Sequence, residues 1–596
     1  MNSRVRALAI TLVLLIANSS DLSAQDSLPP EAVALAAHQD NTPDPDDAEN
    51  PASFPTTPLE VPVTPLPQGT RFVFTRDSLI WTSAMTLADL LTAVPGVYIV
   101  RGGFLGLPEY VVYAGRGAAA LEVFWDGHQM VPLGRDSVYI DPSEIPLTYL
   151  RRVEIEVLPA TLRVYLVSER HESTEARSIV RIVTGDFGVG DFSGLFQRRW
   201  SSGLGFNAAA DYLSTAGASG GGRSDQLSDV WLKIEWHPDS TTGTSYQFRR
   251  HAVDSDPVLD LDGEVAIAAR FGHRNDLLFT LFKTTSPSGR GLRFDAGVWI
   301  SSWDDDTLDI QQDVRSAFAG VRYSGRRISG EFRTRVVDRW IENEFESRFG
   351  WTPISGVVFG ADVRRRNYDD DRSSYRVHSS LALRRGAFSV VGDVTRARVV
   401  EVLNLPSDTG QVVDDLGVRG SVHTEKFRGR VGFVRRDSYL PAPFPHLAVI
   451  ASLDSTRATT YLEGGLSLRP ASYLTVDGWF SNPRDEIPDF QPPKHTRLQI
   501  TFRSKFWRTF RSGAFDVKAQ IAMDAWSSGT AGIDGQGEPI ELPGITFYET
   551  YLEVQIVGFT IFWNIRNAYN SRDEYVPGLD YPRSAQTYGV RWVFTN

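Results

Sequence analysis

The 596-residue sequence predicts a transmembrane antiparallel β-barrel of about 22 strands, preceded by a small N-terminal α/β unit. Three observations carry this prediction. Period-two runs of roughly nine to twelve residues, long enough to cross a bilayer when tilted, recur from about Asp191 to the end. Tight turns tend to alternate with longer polar loops: Pro470-Ala471-Ser472 and Arg508 to Arg511 are short, whereas Asn482 to Pro493 and Trp526 to Gly544 are long. The chain also ends in a strand, Thr587 to Phe594, with Tyr588, Val590, Trp592 and Phe594 on one face, as in the closing strand that marks outer-membrane barrels for assembly.

Ahead of these runs the N-terminus has a different character. Arg4 and Arg6, an apolar run from Ala7 to Ala17, and small or polar residues to Ala24 make the layout of a secretory signal peptide, so residues 1–24 are expected to be removed on export. Residues 25–70 follow as a leader. Between Asp26 and Thr70 lie ten prolines and eight acidic residues with no Lys or Arg, too little apolar surface to offset the entropy of ordering. The apolar alternation of LEVPVT, Leu59 to Thr64, is the one part of it able to pair as a strand with a partner. The chain has no cysteine, which excludes disulfides, thiolate metal sites and a cysteine nucleophile. Stability in an exported protein of this size must then come from an extensive hydrogen-bonded framework.

Residues 71–188 read as the small unit and 189–596 as the barrel. Within the unit, Thr86 with Asp89 forms a capping-box pattern, and Leu87, Leu90, Leu91 and Val94 make one face of a helix ended by Pro95-Gly96. Strands are expected at Val97–Val100, Glu109–Tyr113 and Leu121–Trp125, the last turning at Asp126-Gly127. A short helical turn opens at Pro142, and Arg152–Leu158, Leu162–Val167 and Ser178–Thr184 complete the set.

The series TLADLLTAVPGVYI, LEVFWDGHQM, IPLTYLRRVEIEVLPA and SIVRIVTGD resembles, in order and spacing, the plug domain of TonB-dependent outer-membrane receptors. The loop NAYNSRDEYVPGLDYPRS before the last strand is similar to the final loop of the same family. The resemblance implies that the small unit sits inside the barrel and occludes it. It further implies an outer-membrane receptor that binds a scarce solute outside the cell and admits it when a TonB-type periplasmic protein pulls on the plug, with no bond chemistry and no cofactor. Leu59, Glu60, Val61, Val63 and Thr64 would then be the partner-binding segment. Three features depart from the family pattern: LEVPVT carries an interrupting proline, the TLRVYLVSERHESTEAR stretch replaces the usual glycine-rich hairpin, and Thr595 and Asn596 extend past the usual terminal aromatic. A plugged barrel without energised transport, structural or passive, therefore stands as the alternative.

In the barrel, Leu498, Ile500, Phe502 and Phe506 alternate with Gln499, Thr501, Arg503 and Lys505; Val517 to Asp524 and Tyr551 to Ile556 repeat the pattern. A barrel of this width leaves an open lumen unless it is filled. Only six of the 61 basic residues are lysine, and many of the arginines are expected to face the lumen and pair with carboxylates of plug and wall. The strand count is soft at EVAIAARF, between Asp254 and Asn275, which reads as strand or loop.

Other motifs carry little chemistry. The sequence GASGG at Gly217 fits a nucleophile-elbow pattern but lacks the following helix, and DLDGE at Asp260 fails as a calcium loop because Val258 and Ala269 fall on ligand positions. Asp304–Asp306, Asp369–Asp371 and the group His171, Glu172 and Glu175 read as solvated loop charges before metal ligands. SYLPAPFPHL, Ser438 to Leu447, is the candidate ligand-contacting loop, through Tyr439, Phe444 and His446. No catalytic or metal site is assigned. A net charge of −12 argues against nucleic acid. The remaining expected partners are outer-membrane lipid, the barrel-assembly machinery and an unidentified small solute, with the chain acting as a monomer.

Overall fold

The computed structural model describes residues 71–595, apart from 102–105, 135–137, 218–223, 261–262, 288, 306–309, 448–449, 485–493, 507–508 and 511–513. The leader with LEVPVT, the GASGG serine and Asp306 lie outside the described residues.

The small unit begins with β1 (Arg71–Phe74), α1 (Arg76–Ile80) and α2 (Leu87–Leu91), then β2 (Val97–Arg101), β3 (Glu109–Tyr113), β4 (Leu121–Trp125), β5 (His128–Gln129), β6 (Leu150–Val157) and β7 (Leu162–Ser168). Five of these strands form one sheet in the order β1-β6-β7-β4-β5, with β4 and β7 parallel, and β2 and β3 form a separate hairpin. Leu87, Leu90, Leu91 and Val94 are buried in its core with Val153, Ile155, Val164 and Leu166, as the helical and period-two spacings require. The Asp126-Gly127 turn has positive φ at both residues, the geometry of a tight hairpin turn. The expected capping box does not form. Thr86 makes no side-chain cap bond, and Asp89 instead accepts the Met85 N–H and pairs with Arg101 and Arg566, a stronger use of a buried carboxylate.

Twenty-two antiparallel strands close into one barrel. Its first strand, β8 (Arg177–Gly185), is the Ser178–Thr184 run expected to belong to the small unit. It pairs with the last strand, Ala585–Thr595, from Thr587 opposite Gly185 to Thr595 opposite Arg177. The barrel therefore starts at residue 177 and not at 189, and closure supplies the reason, since an unpaired edge at either end of the sheet would be unsatisfied in lipid. EVAIAARF resolves as loop: Val258–Leu259 and Val265–Ile267 make a small hairpin outside the barrel, and the next barrel strand starts at Arg270. β8 makes up the even count. The run from Leu498 is a strand over His495–Ser504 only, with Phe506 turned out of it at φ 47°.

Alternation along the strands has the polarity of a membrane barrel and the reverse of a soluble sandwich. In Asp225–Asp239, Val230, Ile234 and Trp236 face outward at 40–48 % exposure, whereas Asp229, Lys233 and Glu235 face the lumen and are buried. Leu498 and Ile500 likewise point out, and Gln499 and Thr501 in. No helix among the described residues is long and apolar enough to cross a membrane. The two rims differ. One carries two-residue turns at 240–241, 386–387, 472–473 and 557–558; the other carries long connections at 256–269, 400–410, 437–458, 527–544 and 567–584.

Candidate functional site

The site is the boundary between the small unit and the barrel around it, which contacts the wall at three levels. At the tight-turn rim, α1 presents its C-terminal carbonyls to cations of the wall. Arg591 donates to the Ile80 carbonyl at 2.6 Å, Lys518 donates to the Trp81 carbonyl, and the Arg503 guanidinium lies 4.4 Å from the Trp81 ring centre. Cations belong there because the last carbonyls of a helix are unpaired and carry its negative end.

At mid-depth the contacts are ion pairs and buried hydrogen bonds. Arg163 of β7 reaches Asp362 of the wall at 2.6 Å, and Glu122 of β4 receives Arg364 at 2.6 Å and Arg376 at 2.7 Å. Trp125 donates to Gln247 at 3.1 Å, Lys233 to Ser168 at 2.9 Å, and Arg333 to the Gly127 carbonyl. The arginine-rich composition thus pairs small unit and wall, as expected.

At the long-loop rim the loops fold inward over the β2–β3 hairpin and build a second apolar core. Tyr98 meets Trp526 edge-on at 4.9 Å and Tyr575 at 4.7 Å, while Tyr110 meets Phe444 at 5.0 Å. Leu107 and Val112 join Ile267, Leu447, Ile450 and Leu542 in the same cluster. Gly117, at φ +53°, lies so close to the 437–458 loop that a Cβ there would sit 2.7 Å from that of Pro441.

A buried carboxylate pins this cap. Glu401 accepts the Ala118 N–H at 2.8 Å through Oε1, and through Oε2 the Tyr439 hydroxyl at 3.0 Å and the Ala442 N–H at 2.9 Å. Burial pushes its pKa up to about 7, against the pull of those donors. Beside it, Arg116 pairs with Asp415 and lies 4.9 Å from the Tyr439 ring centre. Burial likewise raises Glu109 to about 7, with the Arg101 guanidinium opposing, and Asp141 to about 6, with Arg270 opposing.

The residues singled out in the sequence are placed as follows. Tyr439 and Phe444 are buried against the small unit rather than presented to solvent, Tyr439 beside Ala119 and Arg116 and Phe444 against Tyr110 of the β2–β3 hairpin. His446 is half-buried; its N–H donates to the Tyr110 hydroxyl at 3.2 Å, and it lines a cavity with Arg270 and Trp303. His171 contacts the Glu175 carbonyl, and Glu172 lies near Arg151 and Arg170. Asp370 receives Arg372, and Asp369 accepts the Trp340 N–H. Among the described residues no group of three or more His, Asp or Glu could hold a metal ion. Sequence reasoning missed Glu122, Glu401 and the arginines facing Glu122. The parity of VVFGADVRRRNY, which puts Asp362, Arg364 and Arg366 on one face, was the available signal.

Three cavities between small unit, wall and loops each enclose no more than about 100 Å³. Small-molecule sites run to roughly 300–1,000 Å³, several times these volumes.

No family model matches the chain, and no curated protein matches it. Solved structures do. The copper transporter OprC superposes with a TM-score of 0.70 at 11% identity, covering 91% of this chain and 100% of that one. The siderophore receptor PirA from Acinetobacter baumannii gives 0.67 at 10% identity, covering 88% and 98%. The FrpB iron transporter from Neisseria meningitidis gives 0.66 at 9% identity, covering 88% and 99%. The chain shares the fold of these proteins over almost their full length.

Proposed function

We propose that this chain is an outer-membrane receptor of the TonB-dependent type, which binds a scarce extracellular solute and admits it through a plugged barrel. The observation that carries the reading is the orientation of the small unit. β1 and α1 lie at the tight-turn rim, so the 25–70 leader joins the unit on the side that faces the periplasm in barrels of this kind. A periplasmic partner holding LEVPVT through Leu59, Glu60, Val61, Val63 and Thr64 would pull directly on β1, an edge strand with a four-residue ladder to β6. The likeness to iron, siderophore and copper receptors and transporters supports a small solute as cargo. Transport of this kind needs displacement of the small unit and no bond chemistry.

Calorimetric titration of a peptide covering Gln25 to Thr70 with the periplasmic domain of a TonB-type protein tests the reading. Saturable binding, lost when Val61 and Val63 are both replaced by proline, is the expected result. Absence of binding favours the second reading, a plugged barrel without energised transport, which the apolar cap at the long-loop rim also supports.

A further inference from the structure

The inner wall is not charge-balanced along the strands between Ile310 and Arg385. Their lumen-facing side chains include seven arginines against four carboxylates, Glu331, Glu344, Glu346 and Asp362, an excess of three positive charges. The excess concentrates where Arg364 and Arg376 stand directly opposite each other in register, with Arg366 two residues along on the same face. Like charges opposite one another across a ladder repel. Here the repulsion is offset from outside the wall. Glu122 Oε1 receives both Arg364 and Arg376, and Oε2 lies 3.2 Å from Arg163 Nε. Gln129 of β5 offers its amide oxygen to Arg364 at 3.1 Å and to Arg366. Both acceptors sit on one hairpin of the small unit, and the three arginines sit on the barrel. A cavity of about 100 Å³, lined by these same five residues and by Tyr368 and Ser374, adjoins the cluster.

We propose that Arg364, Arg366 and Arg376 form a binding site for an oxyanion group of the admitted solute, and that Glu122 occupies it as a built-in counter-ion while the hairpin is seated. The inference rests on the receptor reading and names its substrate class: solutes that carry carboxylates or phosphates. Guanidinium groups match both geometrically, through paired N–H donors. When the β4–β5 hairpin leaves, Arg366 keeps Glu344 of the wall, while Arg364 and Arg376 lose their acceptors at membrane depth, where unpaired charge is costly. An arriving oxyanion replaces them. By linkage, an oxyanion that competes with Glu122 also loosens the hairpin.

The test is calorimetric titration of the full chain in detergent, at low salt, with citrate as the carboxylate probe and pyrophosphate as the phosphate probe. Glu122→Gln is expected to bind at least tenfold more tightly than wild type, and adding Arg364→Met and Arg376→Met is expected to abolish that gain. Tightening for citrate alone assigns a carboxylate solute, and for pyrophosphate alone a phosphate one. Glu122→Ala, which also removes the charge, serves if the glutamine variant fails to fold, and the same tightening is expected of it. Unchanged affinity in the folded variant, or a gain that survives loss of both arginines, overturns the proposal. Neither result bears on the leader peptide titration, so the two readings fail separately.

Discussion

Glu401 shows how a single buried acid can set the state of the outer cap. Among the described residues its hydrogen-bond partners are two N–H groups and a hydroxyl, and burial opposes its ionisation. For an acid raised from an ordinary value of 4.5 to about 7 in the folded cap, the folded state holds its proton longer than the open state. Cap stability is therefore full below pH 4.5, falls as pH rises towards about 7, and is flat above that. Glu109 and Asp141 are shifted in the same direction by burial and add to the trend. Hydrogen exchange of the 437–458 loop, corrected for intrinsic rates, is expected to be slower at pH 5 than at pH 8, and Glu401→Gln is expected to flatten part of that difference. None of this was legible in the sequence. Glu401 lies in a loop with no periodicity, and its burial depends on Ala118 and Ala442, 283 and 41 residues away.

β8 is the element that sequence reading placed in the wrong body. Its pattern, RSIVRIVTG, alternates as well as any barrel strand, with Val180 and Ile182 outward. What misplaced it was chain order, because it follows the small unit after only the 169–176 connection. By contrast β2, β3 and β4 were legible to within a residue, since turn chemistry at Pro95-Gly96 and Asp126-Gly127 marks their ends. The seam β8 makes with the last strand is tight: a Cβ on Gly589 would overlap the Ile182 carbonyl and the Phe562 ring. Gly589→Val is expected to prevent closure, read as loss of the compact, heat-modifiable band on electrophoresis, whereas the same change at Gly392, which meets no atom within 4 Å and has an ordinary strand backbone, is expected to leave that band in place.

For the molecule as a whole, the barrel was readable because alternation, loop asymmetry and the terminal strand are all local signals. The pairing of wall and small unit was not, because each contact joins residues hundreds of positions apart, as Arg163 and Asp362 do. The outward band follows from alternation alone and makes a prediction of its own. Val394, near the middle of Phe388–Val399 and 47% exposed, faces the hydrocarbon layer. Val394→Arg is expected to destabilise the barrel by about 2–4 kcal/mol in refolding titrations, with little effect from Val394→Leu. The closing seam also fixes an order of events. Its two strands are the first and the last of the barrel, so the cylinder cannot be sealed until the eleven residues of the last strand have been delivered, and the first strand is tied by eight residues to the body that ends up inside. Once the hoop is zipped, that body has no side door. It enters either as the walls come together or through an open rim, and the interior cations of the wall wait for their acceptors until it does.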